Sequence, residues 1–179
     1  MIIETERLLI RALQPEDEIP FIEMASDGSL KDVGFDQDCN EWMANWILEA
    51  KKLTDRDNPT LEYLAYAIVL KEKNILIGSV GCSYYDDLHE TGITYFIGAK
   101  YRHNGYAIEA VKAYVSCFMK HYNTCKMIAT VREENISSWK VVEKAGFELV
   151  EKKMYKDLND EKAEMYNFYE IRTLDAKSN

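Results

Sequence analysis

Between residues 93 and 111 the sequence ITYFIGAKYRHNGYAIEAV changes its period. The run ending at Ala99 is rich in β-formers, whereas after Gly105 the residues Ala110, Ala113, Tyr114, Cys117, Phe118 and His121 recur at helical spacing. A short polar loop, residues 100–104, joins the two and carries Arg102. Such a chain has to turn sharply from a strand into a helix start, where several N–H groups lack partners and the helix dipole favours an anion. Gly105 lets the backbone approach a ligand closely, and Arg102 can clamp phosphate oxygens. A diphosphate suits this turn. The dinucleotide and Walker fingerprints are both absent, since neither G-x-G-x-x-G nor G-x-x-x-x-G-K-[ST] occurs.

Around that segment the pattern predicts a strand over residues 7–13, then a turn at Gln14-Pro15-Glu16-Asp17 into a short helix with carboxylates at its positive end. Trp42, Met43, Trp46, Ile47 and Ala50 mark an amphipathic helix over 40–53. Residues 63–70 and 75–85 flank Lys71-Glu72-Lys73-Asn74 as a hairpin, and 91–99 form a further strand. A strand over 126–131 follows the long helix. Ser137 or Ser138 can cap the next helix, Gly146 can end it as a left-handed residue, and Phe147 anchors the core beyond it. Residues 147–155 and 164–172 read as a closing hairpin around 157–160. This order predicts an α+β fold with a mixed, mostly antiparallel sheet flanked by helices, rather than a doubly wound parallel one.

The 179 residues carry no linker, repeat or low-complexity tract, so one domain over 1–179 is expected. A net charge of -9 speaks against nucleic acid and anionic membranes as partners, although a local cleft can still hold an anion. Cys39, Cys82, Cys117 and Cys125 show no paired spacing, and no signal-peptide pattern opens the chain. Buried thiols in a reducing cytoplasm are expected, with no disulfide and no metal site.

Three stretches carry a family likeness. Arg102-x-x-Gly105-x-Ala107 resembles the Q/R-x-x-G-x-G/A acyl-CoA signature of the GNAT superfamily of N-acetyltransferases. The run from Asn135 to Phe147 resembles that family's second block, N-x-x-S-x-x-V-x-E-K-x-G-F, and Thr5-Glu6-Arg7-Leu8-Leu9-Ile10-Arg11 resembles the opening of the branch containing ribosomal-protein alanine N-acetyltransferases. The likeness runs from about residue 5 to the end of the chain. It implies a GNAT-type acyl-CoA fold and transfer of an acetyl group from acetyl-CoA to a primary amine. It also implies roles for particular residues. Backbone groups of Ile97 and Ala99 would pair with the pantetheine arm as an added strand does, giving affinity through main-chain hydrogen bonds. Arg102, His103, Asn104, Gly105, Tyr106 and Ala107 would wrap the pyrophosphate, and Asn135 would reach the pantetheine amide; read alone, Asn135 is a helix cap or turn residue. The Ile97 N–H would serve as oxyanion donor.

Two departures bear on catalysis. Where many relatives carry a tyrosine that protonates the leaving thiolate, this chain has Val142, and Ser138 is the substitute. Where relatives of this branch often carry a glutamate base, it has Gly92; Glu90, two residues earlier on the same strand face, is the replacement, with His89 as a further proton shuttle. Glu143 and Lys144 read as a solvated helix face. Trp42, Trp46, Tyr84 and Tyr85 read as core residues that can also line an acceptor groove. The opening motif favours a protein N-terminus as acceptor. Small amines such as polyamines or aminoglycosides, attracted by the acidic surface, remain the alternative, and a non-catalytic acyl-CoA sensor is a second one. A homodimer fits a small enzyme of this kind.

Overall fold

A computed structural model of the chain describes residues 1–36, 38–157 and 160–173. Among the described residues there are eight strands: β1 (Ile3–Glu4), β2 (Leu8–Ala12), β3 (Tyr63–Leu70), β4 (Ile75–Tyr85), β5 (Glu90–Ile97), β6 (Lys126–Arg132), β7 (Glu148–Tyr155) and β8 (Glu164–Arg172). They form one sheet in the order β1-β2-β3-β4-β5-β6-β8-β7. Every neighbouring pair is antiparallel except β5 and β6, which run parallel. The mixed α+β sheet expected from the element order is therefore present. Its outermost strand β1 lies outside the sequence expectation, and the strand before the turn runs from Glu90 to Ile97 rather than 91 to 99. Ala99 is not a strand residue. It begins a 3₁₀ turn, Ala99–Tyr101, and its carbonyl accepts the Arg102 N–H at 3.3 Å.

Helices cover both faces. On one face lie α1 (Glu18–Ala25) and α2 (Met43–Arg56), over Ala65, Ala67, Val69 and Leu76. The second of these starts three residues later than its apolar spacing suggests, because a 3₁₀ turn, Cys39–Glu41, precedes it. Phe21, Phe35, Trp46 and Phe96 meet there with centroids 5.0 to 6.2 Å apart, Phe21 and Phe35 stacked and the other pairs edge to face or tilted. On the opposite face α3 (Tyr106–His121) and α4 (Ile136–Ala145) pack on Ile93, Ile97, Met127, Ala129 and Val131. The buried stripe of α3, Ala110, Val111, Tyr114, Val115, Phe118 and Met119, follows the three-and-four spacing of the sequence. Burying each of its large members contributes about 1.5–3 kcal/mol, which fixes the start of α3 against the end of β5.

Gly146 ends α4 at φ 106°, and Phe147 is buried behind it. The cap at the other end is Asn135 rather than Ser137 or Ser138: its Oδ1 accepts the Ser138 N–H at 3.1 Å. Cys39 and Cys82 are buried, Cys117 and Cys125 half-buried, and all four thiols are free. Among the described residues no helix is long and apolar enough to cross a membrane. The hairpin turn at Leu158 and Asn159 lies outside the described residues.

Candidate functional site

The parallel pair is where the sheet opens. The register of β5 on β6 runs through one pair, Gly92 and Ile128, whereas β4 follows β5 from Glu90 to Ile97 without a break. Beyond Gly92 the two strands part, leaving a gap whose narrow end is at that contact and whose wide end is at Ile97. Strand alternation decides which backbone groups face it. The Gly98 N–H donates to Ile77 O at 2.9 Å, on the β4 side. Phe96 and Thr94 therefore turn their amides to β4, and Tyr95 and Ile97 turn theirs into the gap. An extended amide-bearing chain can add to this open edge, and the Ile97 N–H faces the same space.

At the wide end the turn into α3 folds tightly. His103 and Gly105 have positive φ, 65° and 79°, with Asn104 between them outside that region. Alternation of this kind turns successive N–H groups toward one side and makes a concavity for an anion. No side chain caps the first turn of α3, so its amides at Tyr106 and Ala107 point out of the helix start. A Cβ at Gly105 would meet only Arg7 Nη2, at 3.5 Å; glycine is required there by its backbone conformation. The Asn104 side chain folds back, donating to Tyr101 O at 3.2 Å and Arg102 O at 2.9 Å. Arg102 also turns inward: Nε donates to Ile97 O at 3.0 Å and Nη2 to Ser29 O at 2.9 Å. These bonds use two of the five guanidinium donors and tie the turn to β5.

A support for this turn comes from the opening of the chain, read from sequence only as a family likeness. Arg7 Nε donates to Glu109 Oε2 at 2.7 Å, Nη1 donates to Asn104 O at 2.9 Å, and the guanidinium lies 4.6 Å from the Tyr106 ring centroid. The Thr5 hydroxyl and Arg7 N–H both donate to Glu109 Oε1, at 2.6 and 3.0 Å. Burial alone would raise the Glu109 carboxyl, but the Thr5 and Arg7 hydrogen bonds and the Arg7 charge outweigh it and hold it below its ordinary value. The only advance signal was an acidic residue four positions after Gly105, in the first turn of the helix.

Two tyrosines reach out from β4 and β5 near the narrow end, one to β6 and one to α4. On the α3 and α4 face Tyr95 reaches Ser138, donating to its carbonyl at 2.9 Å and standing 2.8 Å from its Oγ. A phenol has one proton, so Ser138 Oγ–H donates to Tyr95 Oη. Burial pushes the Tyr95 phenol up to about 12, against the lowering effect of Ser138. Val142 is buried beneath α4. On the other face the Tyr85 ring lies over Gly92: a Cβ there would stand 2.6 Å from Tyr85 Cε2. The Tyr85 hydroxyl is 3.0 Å from Thr130 Oγ1 on β6. Glu90 is ion-paired with Lys126, which also approaches Glu170 at 3.8 Å, and it lies on the far side of the contact from the gap. His89 sits exposed in the turn before β5 at φ 52°. Asn135, besides capping α4, accepts the Ser137 hydroxyl at 3.0 Å. Glu143 accepts the Tyr169 hydroxyl at 3.2 Å. A separate cavity of about 470 Å³ lies under the turn on the α1 side, lined by Met24, Leu76, Gly98 and Lys100 among others.

An open strand edge running into an amide-lined turn, with hydroxyls at the closed end, is a geometry able to hold an extended amide chain ending in a diphosphate. The profile of the acetyltransferase (GNAT) domain matches residues 7–148, and the chain belongs to that family. It is an acetyltransferase, and the family's acyl donor is acetyl-CoA. It is 28% identical over 146 residues to the uncharacterized N-acetyltransferase YnaD of Bacillus subtilis (strain 168), covering 82% of each chain. Among solved structures it resembles a GNAT-family acetyltransferase from Bacillus anthracis at 25% identity and TM-score 0.76, covering 96% of this chain and 98% of that one. The ribosomal-protein-S5-alanine acetyltransferase from Vibrio fischeri shares its fold at 19% identity and TM-score 0.77, covering 99% and 100%.

The Arg7 cluster has measurable consequences. Arg7→Ala is expected to raise the KM for acetyl-CoA about tenfold, the equivalent of about 1.4 kcal/mol, with kcat within about twofold, in steady-state assays. Glu109 is depressed in the fold, so its stabilisation is complete above the ordinary pKa of 4.5 and is lost as pH falls through the lower folded value. The Tm difference between wild type and Glu109→Gln should accordingly shrink below pH 4.5 when followed by thermal melts.

Proposed function

We propose that the protein acetylates the α-amine of a protein N-terminus with acetyl-CoA as donor. The observation that carries the reading is the open β5 edge ending in the turn held by Arg7. Gap-facing amides of Tyr95 and Ile97 bind the pantetheine arm, and the N–H groups of residues 103–107 hold the pyrophosphate with help from Arg102. When bound, acetyl-CoA supplies a thioester carbonyl open to attack. The Ile97 N–H stabilises the oxyanion, and the Ser138–Tyr95 hydroxyl pair supplies the proton to the leaving sulfur. The strained turn and strand edge position the reactants, which accounts for much of the rate.

The acceptor reaches the narrow end from the α1 and α2 face, where Thr94 is exposed and Asp157 stands on Thr130 in the chain's acidic field. A cationic amine suits that field. A peptide N-terminus is favoured by the opening motif and by the S5-alanine acetyltransferase from Vibrio fischeri among the fold relatives. The acidic surface also keeps polyamines and aminoglycosides as the second reading.

Thiol release from acetyl-CoA, measured with peptides starting in Ala or Ser, polyamines and aminoglycosides, tests the assignment. Peptides are expected to give kcat/KM at least about tenfold above the small amines. A preference for a polyamine or aminoglycoside would move the acceptor class. Tight binding of acetyl-CoA with no release on any amine would instead make the protein an acyl-CoA sensor.

A further inference from the structure

We propose that Tyr85, Thr130 and Asp157 form a proton relay that draws the proton from the acceptor amine at the narrow end of the gap. This rests on the acetyltransferase reading above and assigns that site its proton acceptor.

The relay is directional. Thr130 Oγ1 donates to Asp157 Oδ2 at 2.7 Å, a bond only the hydroxyl can donate because the carboxylate has no proton. With its single proton committed, Thr130 has to accept at the 3.0 Å contact with Tyr85, so Tyr85 is the donor there. The lone pairs of Tyr85 Oη are thereby left able to accept an N–H from an incoming amine. Burial first, then the charge of Asp157 and its direct hydrogen bond with the phenol, raise Tyr85 above its ordinary value, so Tyr85 enters the chain protonated and in touch with Asp157 itself as well as through Thr130.

The place is also specific. Tyr85 opposes Glu90 in the β4–β5 register, below the contact, and its ring passes over Gly92 to reach β6. Thr130 lies two residues past Ile128 along a strand parallel to β5, so at about 3.3 Å per residue it stands roughly 7 Å beyond the contact, on the β6 wall of the gap. That is the level of Thr94, whose exposed side chain marks the face open to an acceptor. Tyr95 and Ser138 occupy the opposite face at the same level. The gap therefore has a proton donor on one face and this relay on the other. The charged and titratable groups around the chain are partnered: Glu90 by Lys126, Asp160 by Arg132 and Tyr166, and Tyr155 by Asp87. The Asp157 N–H donates to Asp160 Oδ2 at 3.1 Å, which holds the end of the relay in place.

The proton balance closes without another reactant. As the amine nitrogen bonds to the thioester carbonyl carbon it becomes cationic and acidic, and its proton passes to Tyr85 Oη. Tyr85 gives its own proton to Thr130 Oγ1, and Thr130 gives its own to Asp157, which is half-exposed and returns it to water. The C–S bond breaks, the sulfur takes a proton from the Ser138–Tyr95 hydroxyl pair, and that pair regains one from water, matching the proton that Asp157 releases. A relay of this kind suits an α-amine, whose ordinary pKa of about 7.7–8.0 leaves roughly a tenth of it neutral near pH 7, far more than a lysine-type amine of pKa about 10.4.

The test uses the full-length protein, with acetyl-CoA affinity by calorimetry and single-turnover acetylation at saturating acetyl-CoA across pH 6–9 for wild type, Tyr85→Phe, Asp157→Asn and the double variant, with Thr130→Val as a second break in the chain. Each single variant is expected to lose about 100-fold or more in rate with its acetyl-CoA Kd within about twofold of wild type. The double variant is expected to be no slower than the worse single one, because both break one path. Wild-type rate and pH profile in Tyr85→Phe would overturn the relay. Loss of acetyl-CoA binding in Tyr85→Phe would make its part structural. A wild type that binds acetyl-CoA but acetylates no amine would instead sink the underlying acetyltransferase reading, and the relay with it.

Discussion

The site depends on one contact, the pairing of Gly92 with Ile128. Two parallel strands that meet at a single register pair act as a hinge point for the sheet: on one side β4 and β5 continue as a regular antiparallel ladder, on the other β6 and β8 do the same. Between them the ladder is broken, and main-chain groups of Tyr95 and Ile97 are turned toward the break. Backbone polar groups away from water need partners. The open edge, where Arg102 Nε meets the Ile97 carbonyl and the Tyr95 and Ile97 amides face the break, is thus held in place by well-paired sheet on both sides.

Around that contact the structure divides its work by face. The α3 and α4 face gives the turn its stability, since the buried stripe of α3 presses on β5 and the Arg7 cluster fastens the helix start to the first strands. The α1 and α2 face is packed with aromatic rings near Phe96 but leaves Thr94 exposed. Tyr85 joins the sheet halves where the ladder cannot, and Tyr95 ties β5 to α4. Gly92 has no side chain because the Tyr85 ring occupies that place; an added Cβ would overlap it. The glycine and the tyrosine are one feature, and replacing either alone disturbs the other.

Much of the fold was legible because its signals are local. The change of period at Gly105, the hairpin over 63–85 and the left-handed Gly146 are each read within a few residues, and the structure has them. Boundaries governed by capping were less so: Asn135 took the cap in place of either serine, and the 3₁₀ turns at 39–41 and 99–101 shortened the elements beside them. What the sequence did not reveal lies in contacts between distant residues. Tyr95 meets Ser138, Tyr85 meets Thr130, Glu90 meets Lys126 and Arg7 meets Glu109, all across separations that no periodicity reports. Tyr85 read as a core residue for this reason: it is buried, and only its hydroxyl partner on β6 shows that the ring also carries a polar chain.

Amide hydrogen exchange on β5 with and without acetyl-CoA tests the central claim most directly, because the claim assigns individual N–H groups to opposite sides of one strand. Thr94 and Phe96 should be protected in both states by their bonds to β4, whereas Tyr95 and Ile97 should become protected only when acetyl-CoA is present. Unchanged exchange at Tyr95 and Ile97 under saturating acetyl-CoA, or protection gathered instead around the cavity at Gly98 and Lys100, would contradict it.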